Sequence, residues 1–209
     1  MIKQLVLLTF HIISSIDAYN LCVVGAGSGL GREIVYQASK DRNMTVLALT
    51  TSEKLCVPFR GEGYNNIEDQ DEYISPLVTV DNYWKNIQDS YECLVICTGG
   101  SIFDSDYSDK LTLKYLENLP ESCKDVSIVS AYSVEDNNLE KFSIPFQIMG
   151  NVYLKDVYRA KREQERLLKQ YNATALRKKI FKPRALSYGN TLLPSTPRME
   201  LAEEILDTL

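Results

Sequence analysis

The 209-residue chain predicts a single α/β domain: one doubly wound parallel sheet with helices on both faces. Three observations lead there. Apolar runs of strand length alternate with segments of helical period. Several runs are apolar throughout, as expected of strands covered on both sides. The first run closes on a cluster of glycines that opens the first helical segment. Right-handed crossovers would wind such a chain into a Rossmann-type sheet.

The elements follow in order. Residues 21–25 form a continuous apolar run ending in glycine, and the strand begins at Asn20. Residues 31–39 have helical spacing through Ile34, Val35 and Ala38. The next strand spans 45–49. A polar stretch over 50–76 is rich in Gly, Asn, Asp and Glu, and 77–80 reads as a short strand after it. Residues 81–89 suit a short helix. Residues 93–98 form a buried strand bounded by Gly99 and Gly100. Helical spacing over 109–119 stops at Pro120. Residues 126–130 read as a strand, and 153–171 as the longest helix, strongly charged on one face. Residues 174–181 read as the last strand and 197–209 as a closing helix.

Residues 1–18 stand apart. One lysine precedes an apolar run over 5–13, and small or polar residues follow, the shape of a secretory signal cleaved after Ala18. A first strand or a disordered leader are the other readings of this stretch. The apolar run is too short for a transmembrane span. The domain proper is expected over 19–209. A leader would carry the chain into the endoplasmic reticulum, or to a plastid reached through it; without one the chain is cytoplasmic.

Composition narrows the chemistry. Net charge is −5, from 23 Lys+Arg against 28 Asp+Glu, which argues against a general nucleic-acid binder. The single histidine, His11, lies in the leader, so no His-rich metal site is expected and none of another kind stands out. The five cysteines are odd in number and contain no CxxC pair. Cys22, Cys93 and Cys97 sit inside apolar runs as small hydrophobes, so no disulfide framework is expected. Two glycosylation-type triplets, starting at Asn43 and Asn172, point instead toward a secreted life.

The glycine loop Gly25-Ala26-Gly27-Ser28-Gly29-Leu30-Gly31-Arg32 ends the first strand and opens the first helix. A helix N-terminus offers unpaired N–H groups and a positive dipole end. Glycines let the backbone approach a pyrophosphate. A GxGxxG reading from Gly25 fails at Leu30; glycine at 25, 29 and 31 fits G-x-x-x-G-x-G. An Asp or Glu at the second strand's tip would select NAD. Here Leu49-Thr50-Thr51-Ser52-Glu53-Lys54 puts no acid at the tip itself. Thr51, Ser52, Lys54 and Arg32 suit a 2′-phosphate, so NADP is favoured over NAD, with Glu53 the contrary sign.

From about Asn20 onward the chain resembles the atypical short-chain dehydrogenase/reductases, especially their NmrA-like and biliverdin/flavin-reductase-like branch. The glycine loop resembles the family's GATGxxGR, with Gly27-Ser28 in place of Thr-Gly. The run 91–100 is similar to the fourth strand and the loop against the cofactor. Ile128-Val129-Ser130-Ala131 is similar to the fifth strand with its terminal serine. Tyr158-Arg159-Ala160-Lys161-Arg162-Glu163-Gln164-Glu165 is similar to the family's long helix carrying lysine and glutamate. Lys182-Pro183-Arg184-Ala185-Leu186 resembles part of a T-x-x-R-P-G-x-L stretch, and Leu201-Ala202-Glu203 part of a closing helix.

The resemblance implies roles. Ser130 falls on the family's catalytic serine and Lys161 on its lysine, which holds the nicotinamide ribose. The tyrosine position, four before the lysine, is Val157. Tyr158 lies about 100° further around the helix. Tyr158, Tyr153 and Tyr132 are substitutes without the right spacing. The usual proton relay is therefore expected to be missing, and hydride transfer with a solvent proton would survive that loss. The resemblance puts Asp81 near the adenine, Thr98, Gly99 and Gly100 along the dinucleotide path, and Ala131, Pro183, Arg184 and Ala185 at the nicotinamide pocket. It implies a small conjugated or carbonyl substrate. The alternative is a non-catalytic scaffold, assembly or sensor protein with a protein partner, or a fold that has lost its nucleotide. Blander roles exist for the same residues: Lys161 as one cation on a solvated face, Ser130 as a strand end and Asp81 as a helix cap.

Overall fold

The computed structural model describes residues 18–52, 54–58, 71–82, 89–98, 106–131, 134, 143–152, 154–183 and 196–209. Six strands make one sheet: β1 Tyr19–Val24, β2 Val46–Thr50, β3 Val78–Asn82, β4 Tyr91–Ile96, β5 Asp125–Val129 and β6 Arg177–Phe181. Their order is β3-β2-β1-β4-β5-β6, and every neighbouring pair is parallel. The chain steps outward from β1 to β3, then returns to β1's other side with β4. That reversal puts a crevice between the C-terminal ends of β1 and β4, where sheets of this kind take ligands.

The helices are α1 Gly29–Tyr36, α2 Asp106–Glu117, α3 Ile144–Val152, α4 Lys155–Gln170 and α5 Thr196–Asp207. Successive strand residues point to opposite faces, so each central strand feeds two cores. Leu21, Val23, Ala48 and Val95 meet Ile34 and Val35 of α1 and Ala202 and Ile205 of α5 on one face. Cys22, Val24, Leu49 and Ile96 meet Leu111 and Tyr115 of α2 and Leu168 of α4 on the other. Each fully buried aliphatic side chain of this kind contributes roughly 1.5–3 kcal/mol. A buried polar stitch also joins α1 to α5, where Gln37 Nε2 donates to Glu33 Oε1 at 2.9 Å and to the Met199 carbonyl at 3.1 Å.

Several sequence expectations need correction. The first helix begins at Gly29, two residues early, because Ser28 caps it. It widens into a π turn over Gln37–Asp41 and ends at Asn43, whose φ of +55° is left-handed. Asp81 and Asn82 belong to β3 rather than to a following helix, and residues 83–88 lie outside the described residues. Residues 174–175 form a turn, so β6 starts only at Arg177.

Nor are all the strands apolar throughout. β3 and β6 are the sheet's edges, and β6 opens with Arg177-Lys178-Lys179. Arg177 pairs with the buried Asp125 carboxylate, and Lys178 Nζ reaches the Tyr171 carbonyl at 2.8 Å. Charges on an edge strand discourage pairing with another chain.

Helix α3 was not expected. Its sequence IPFQIMGNV lacks a clear polar face and contains Pro145 and Gly150. Pro145 falls in the first turn, where its missing N–H has no partner to lose.

All five cysteines are unpaired. Burial pushes the thiols up, Cys93 to about 11 and Cys97 and Cys123 to about 12. Among the described residues no helix is long and apolar enough to cross a membrane.

Candidate functional site

The glycine turn lies at the β1 side of the crevice. Gly25 has a φ of +87°, which an L side chain rarely adopts. The N–H groups of Gly25 and Ala26 both donate to the Leu49 carbonyl, at 2.9 and 3.0 Å, pinning the turn to the end of β2. Ser28 N donates back to the Gly25 carbonyl at 3.0 Å. The Ser28 hydroxyl then accepts from Gly31 N at 3.0 Å and starts α1.

Steric need separates the glycines. A Cβ on Gly31 would stand 2.2 Å from the Gly25 carbonyl oxygen, and one on Gly25 3.0 Å from Thr98 N. A Cβ on Gly27 would stand 2.5 Å from Thr50 Oγ1. The crowded set is therefore Gly25, Gly27 and Gly31, a G-x-G-x-x-x-G spacing. The sequence pattern had counted Gly29 and passed over Gly27. Gly29 and Leu30 are buried in the first turn of α1. Arg32 is also buried, and its Nε donates to the Gly27 carbonyl at 3.0 Å, bracing the turn from beneath.

The tip of β2 faces this turn. Thr50 is buried and its hydroxyl accepts from Ser52 N at 3.2 Å. Thr51, Ser52 and Lys54 are exposed beyond it, and Ser52 Oγ lies 3.8 Å from where a Gly27 Cβ would be. Asp81 is paired in register with Leu49 and accepts from Asn82 N at 2.7 Å. The β2 tip, Asp81 and the glycine turn thus share the C-terminal edge of the sheet.

On the other side of the crevice, α4 points a polar stripe into the protein. Lys161 is only 7% exposed, which removes the solvated-face reading. Its Nζ donates to the Thr98 carbonyl at 2.5 Å and the Val129 carbonyl at 2.7 Å, joining the exits of β4 and β5. Burial lowers its pKa to about 8, with Cys97 and Glu165 opposing the shift. Gln164 Nε2 donates to Thr98 Oγ1, Ser108 O and Thr112 Oγ1 at 2.9–3.2 Å, tying α4 to α2. Tyr158, one turn before Lys161, is buried, and its hydroxyl has no partner among the described residues. Val157 is half-buried.

Ser130 follows β5. Its N–H donates to the Phe181 carbonyl at 2.8 Å, and its hydroxyl donates to Glu165 Oε1 at 2.5 Å. The second Glu165 oxygen accepts from Lys182 Nζ at 2.9 Å, with Lys169 Nζ 3.7 Å away. Ala131 is half-buried beside Ser130. Pro183 lines a cavity of about 490 Å³ between β6 and α5, together with Lys182, Pro197 and Glu200. Gly99, Gly100, Arg184, Ala185, Glu53, Tyr132 and Tyr153 lie outside the described residues.

The structure therefore brings the glycine turn, Thr98, Lys161 and Ser130 along one edge. The sequence reading gave no site role to Thr50, Gln164, Glu165 or Lys182. A signal for one of them existed. Tyr158, Lys161, Glu165 and Leu168 repeat at helical spacing, so the buried stripe of α4 had to carry a lysine and a glutamate.

These features define a Rossmann-type α/β domain with a glycine turn at its first strand–helix junction. No protein-family model matches the sequence, and no curated protein is similar to it in sequence. Solved structures are similar in fold. A proposed NADH-flavin reductase from Streptococcus pneumoniae matches 91% of this chain over 94% of its own, at 12% identity and a TM-score of 0.56. An anaerobilin reductase from Escherichia coli O157:H7 matches 90% over 88% of its own, at 12% identity and a TM-score of 0.51. This chain spans 51% of an archaeal thiolation–reductase di-domain, at 13% identity and a TM-score of 0.49.

Proposed function

We propose that the protein binds NADP(H) along the C-terminal edge of its sheet and reduces a small conjugated substrate there. The observation that carries this reading is the glycine turn under the N-terminus of α1, where backbone would replace side chain at Gly25, Gly27 and Gly31. In this reading the turn and the first turn of α1 hold the pyrophosphate. Thr51, Ser52 and Lys54 meet the adenosine phosphate, Arg32 braces the turn, and Asp81 lies by the adenine. The bound nicotinamide supplies the hydride. Lys161 has two N–H groups committed to carbonyls and a third for the nicotinamide ribose. Ala131, Pro183, Arg184 and Ala185 would close the nicotinamide end.

The absence of an acid among Thr50, Thr51 and Ser52 supports NADP(H) over NAD(H). The fold shared with proteins described as flavin and anaerobilin reductases supports substrates of that conjugated kind. Calorimetric titration of the chain with NADPH and with NADH tests the reading. Micromolar or tighter NADPH binding, with NADH weaker, is expected. No binding of either by a folded sample overturns it.

Val157 favours a second reading, a non-catalytic nucleotide-binding scaffold or sensor, because no tyrosine stands four residues before Lys161. NADPH oxidation in the presence of flavin, bilin or quinone acceptors separates the two: binding without turnover across that panel selects the scaffold. The leader reading of residues 1–18 belongs with these proposals, and a mature N-terminus at Tyr19 would support it.

A further inference from the structure

Two Asn-x-Thr triplets, Asn43-Met44-Thr45 and Asn172-Ala173-Thr174, play no part in the candidate site. Neither has proline at its middle position. The fold brings both to one edge. Asn43 lies between the π turn ending at Asp41 and the start of β2 at Val46. Asn172 lies between the end of α4 at Gln170 and the start of β6 at Arg177. In an all-parallel sheet every strand starts at the same side, so both turns belong to the N-terminal edge. Backbone bonds hold them there. Asn20 N donates to the Thr45 carbonyl at 3.0 Å beside the start of β1, and Arg177 N to the Lys124 carbonyl at 2.8 Å beside the start of β5. The glycine turn, Thr98 and Ser130 stand at the opposite edge, a five-residue strand or roughly 16 Å away.

Both asparagines are exposed, and neither side-chain amide has a hydrogen-bond partner among the described residues. Their neighbours are anchored instead. Met44 packs against the core under α1 and α5, and Tyr171 against the core under α2 and α4. Asn43 holds the left-handed φ of +55°, which asparagine tolerates better than most residues. A bulky polar group on either amide nitrogen would therefore displace no packed side chain and no hydrogen bond. The cysteines suit the oxidising compartment in which such groups are added. None is fully exposed: Cys22, Cys93 and Cys97 are buried, and Cys56 and Cys123 are half-buried. Buried thiols of this kind are inert, so their odd number is no obstacle to that compartment.

We propose that Asn43 and Asn172 are modification sites, the acceptors of N-linked glycans on the edge of the sheet opposite the candidate site. This goes beyond the nucleotide reading and rests on the leader reading of residues 1–18, which would bring the chain to the lumen where such glycans are transferred. The co-substrate is an oligosaccharide carried on a lipid diphosphate. The amide nitrogen attacks C1 of its first sugar. The C1–N bond forms, the C1–O bond to the diphosphate breaks, the amide gives up one proton, and the lipid diphosphate leaves.

The experiment expresses the full chain in cultured animal cells in two forms, one with its own N-terminus and one behind a supplied secretion signal. Membrane-protected and secreted material is treated with an amidase that releases N-glycans and leaves aspartate, then read by gel mobility and peptide mass. Both forms are expected to lose two mobility steps on treatment and to carry aspartate at 43 and 172. Asn43→Gly and Asn172→Gln should each remove one step, and the pair both. Glycine is the change at 43 because it keeps the left-handed backbone that glutamine would strain. Retention of a variant inside the lumen does not spoil the readout, because transfer precedes export. Entry of the signal-bearing form without modification at either position overturns the proposal, and modification at one position alone overturns it for the other. Modification of the signal-bearing form only is the separate failure of the leader reading, and the proposal falls with it.

Discussion

Gly27 and Thr50 can be told apart from Gly31 by substitution. A methyl on Gly27 meets only Thr50 Oγ1 closely, the next atom being Thr50 Cβ at 3.6 Å. Gly27→Ala should destabilise by about 1–3 kcal/mol, and Thr50→Ala should restore much of that, giving a favourable coupling in a double-mutant cycle. A methyl on Gly31 meets backbone at Gly25 and Ala26, so no side-chain change relieves it. Urea unfolding of the three single variants and the pair checks both statements.

Lys161 supplies a second residue-level test. Its folded pKa, about 8, lies below its ordinary 10.5 because burial disfavours the ammonium. Between those values the unfolded chain holds more protons than the folded one, so this residue makes stability rise with pH through that window. The gap corresponds to about 3 kcal/mol. The stability of wild type relative to Lys161→Met should therefore increase from pH 7 to pH 10.5, measured by urea unfolding at each pH. A flat difference would sink the assignment. Lys161 and Ser130 were legible in the sequence because each sits in a short run with a family resemblance. The contacts of Ser130 with Glu165 and of Glu165 with Lys182 were not, because nothing local ties position 130 to 165 or 182.

At the scale of elements, the central strands were legible and the helix ends were not. Runs such as Leu21–Val24 and Val46–Leu49 declare themselves by continuous hydrophobicity. Edge strand β6 hides its character because Arg177 pairs with Asp125 of β5, and Lys178 and Lys179 reach the Tyr171 and Thr208 carbonyls outside the sheet. Helix α3 hides because its apolar residues do not segregate, and Ile144, Ile148 and Val152, four apart, are 71%, 56% and 64% exposed. Packing of α4 on α2 depends on Gln164, which stands at helical spacing between Ala160 and Leu168 but is polar. It is fully buried, and its NH2 serves three acceptors on β4's exit and α2. Gln164→Leu should lower stability by about 1–3 kcal/mol, since the acceptors lose their donor. Thr112 keeps its own bond to the Ser108 carbonyl at 2.8 Å, which limits the loss. Chemical unfolding measures it; a neutral result would mean that Gln164 fills space rather than joining the two helices.

At the scale of the molecule, the candidate site is assembled from β1, β2, β4, β5 and α4 rather than carried by one of them. The glycine turn is pinned to β2, Thr98 packs against Gly25, and Lys161 joins Thr98 to Val129. A ligand lying across that edge touches elements from both halves of the sheet, so it should stabilise the fold as a unit. At 100 times its dissociation constant a single-site ligand adds about 2.7 kcal/mol. In a domain of this size that raises Tm by roughly 5–10 °C. NADPH is expected to do this and NADH to do less at the same concentration, because only the former carries the phosphate that the β2 tip is read as meeting. Lys54 is exposed there, so Lys54→Ala should leave the unliganded Tm unchanged. It should lower the NADPH shift to that of NADH while leaving the NADH shift intact. A thermal-shift series with both cofactors on both proteins decides it. Equal loss of both shifts would mean that Lys54 supports the edge itself, and no loss of either would move the phosphate contact away from β2.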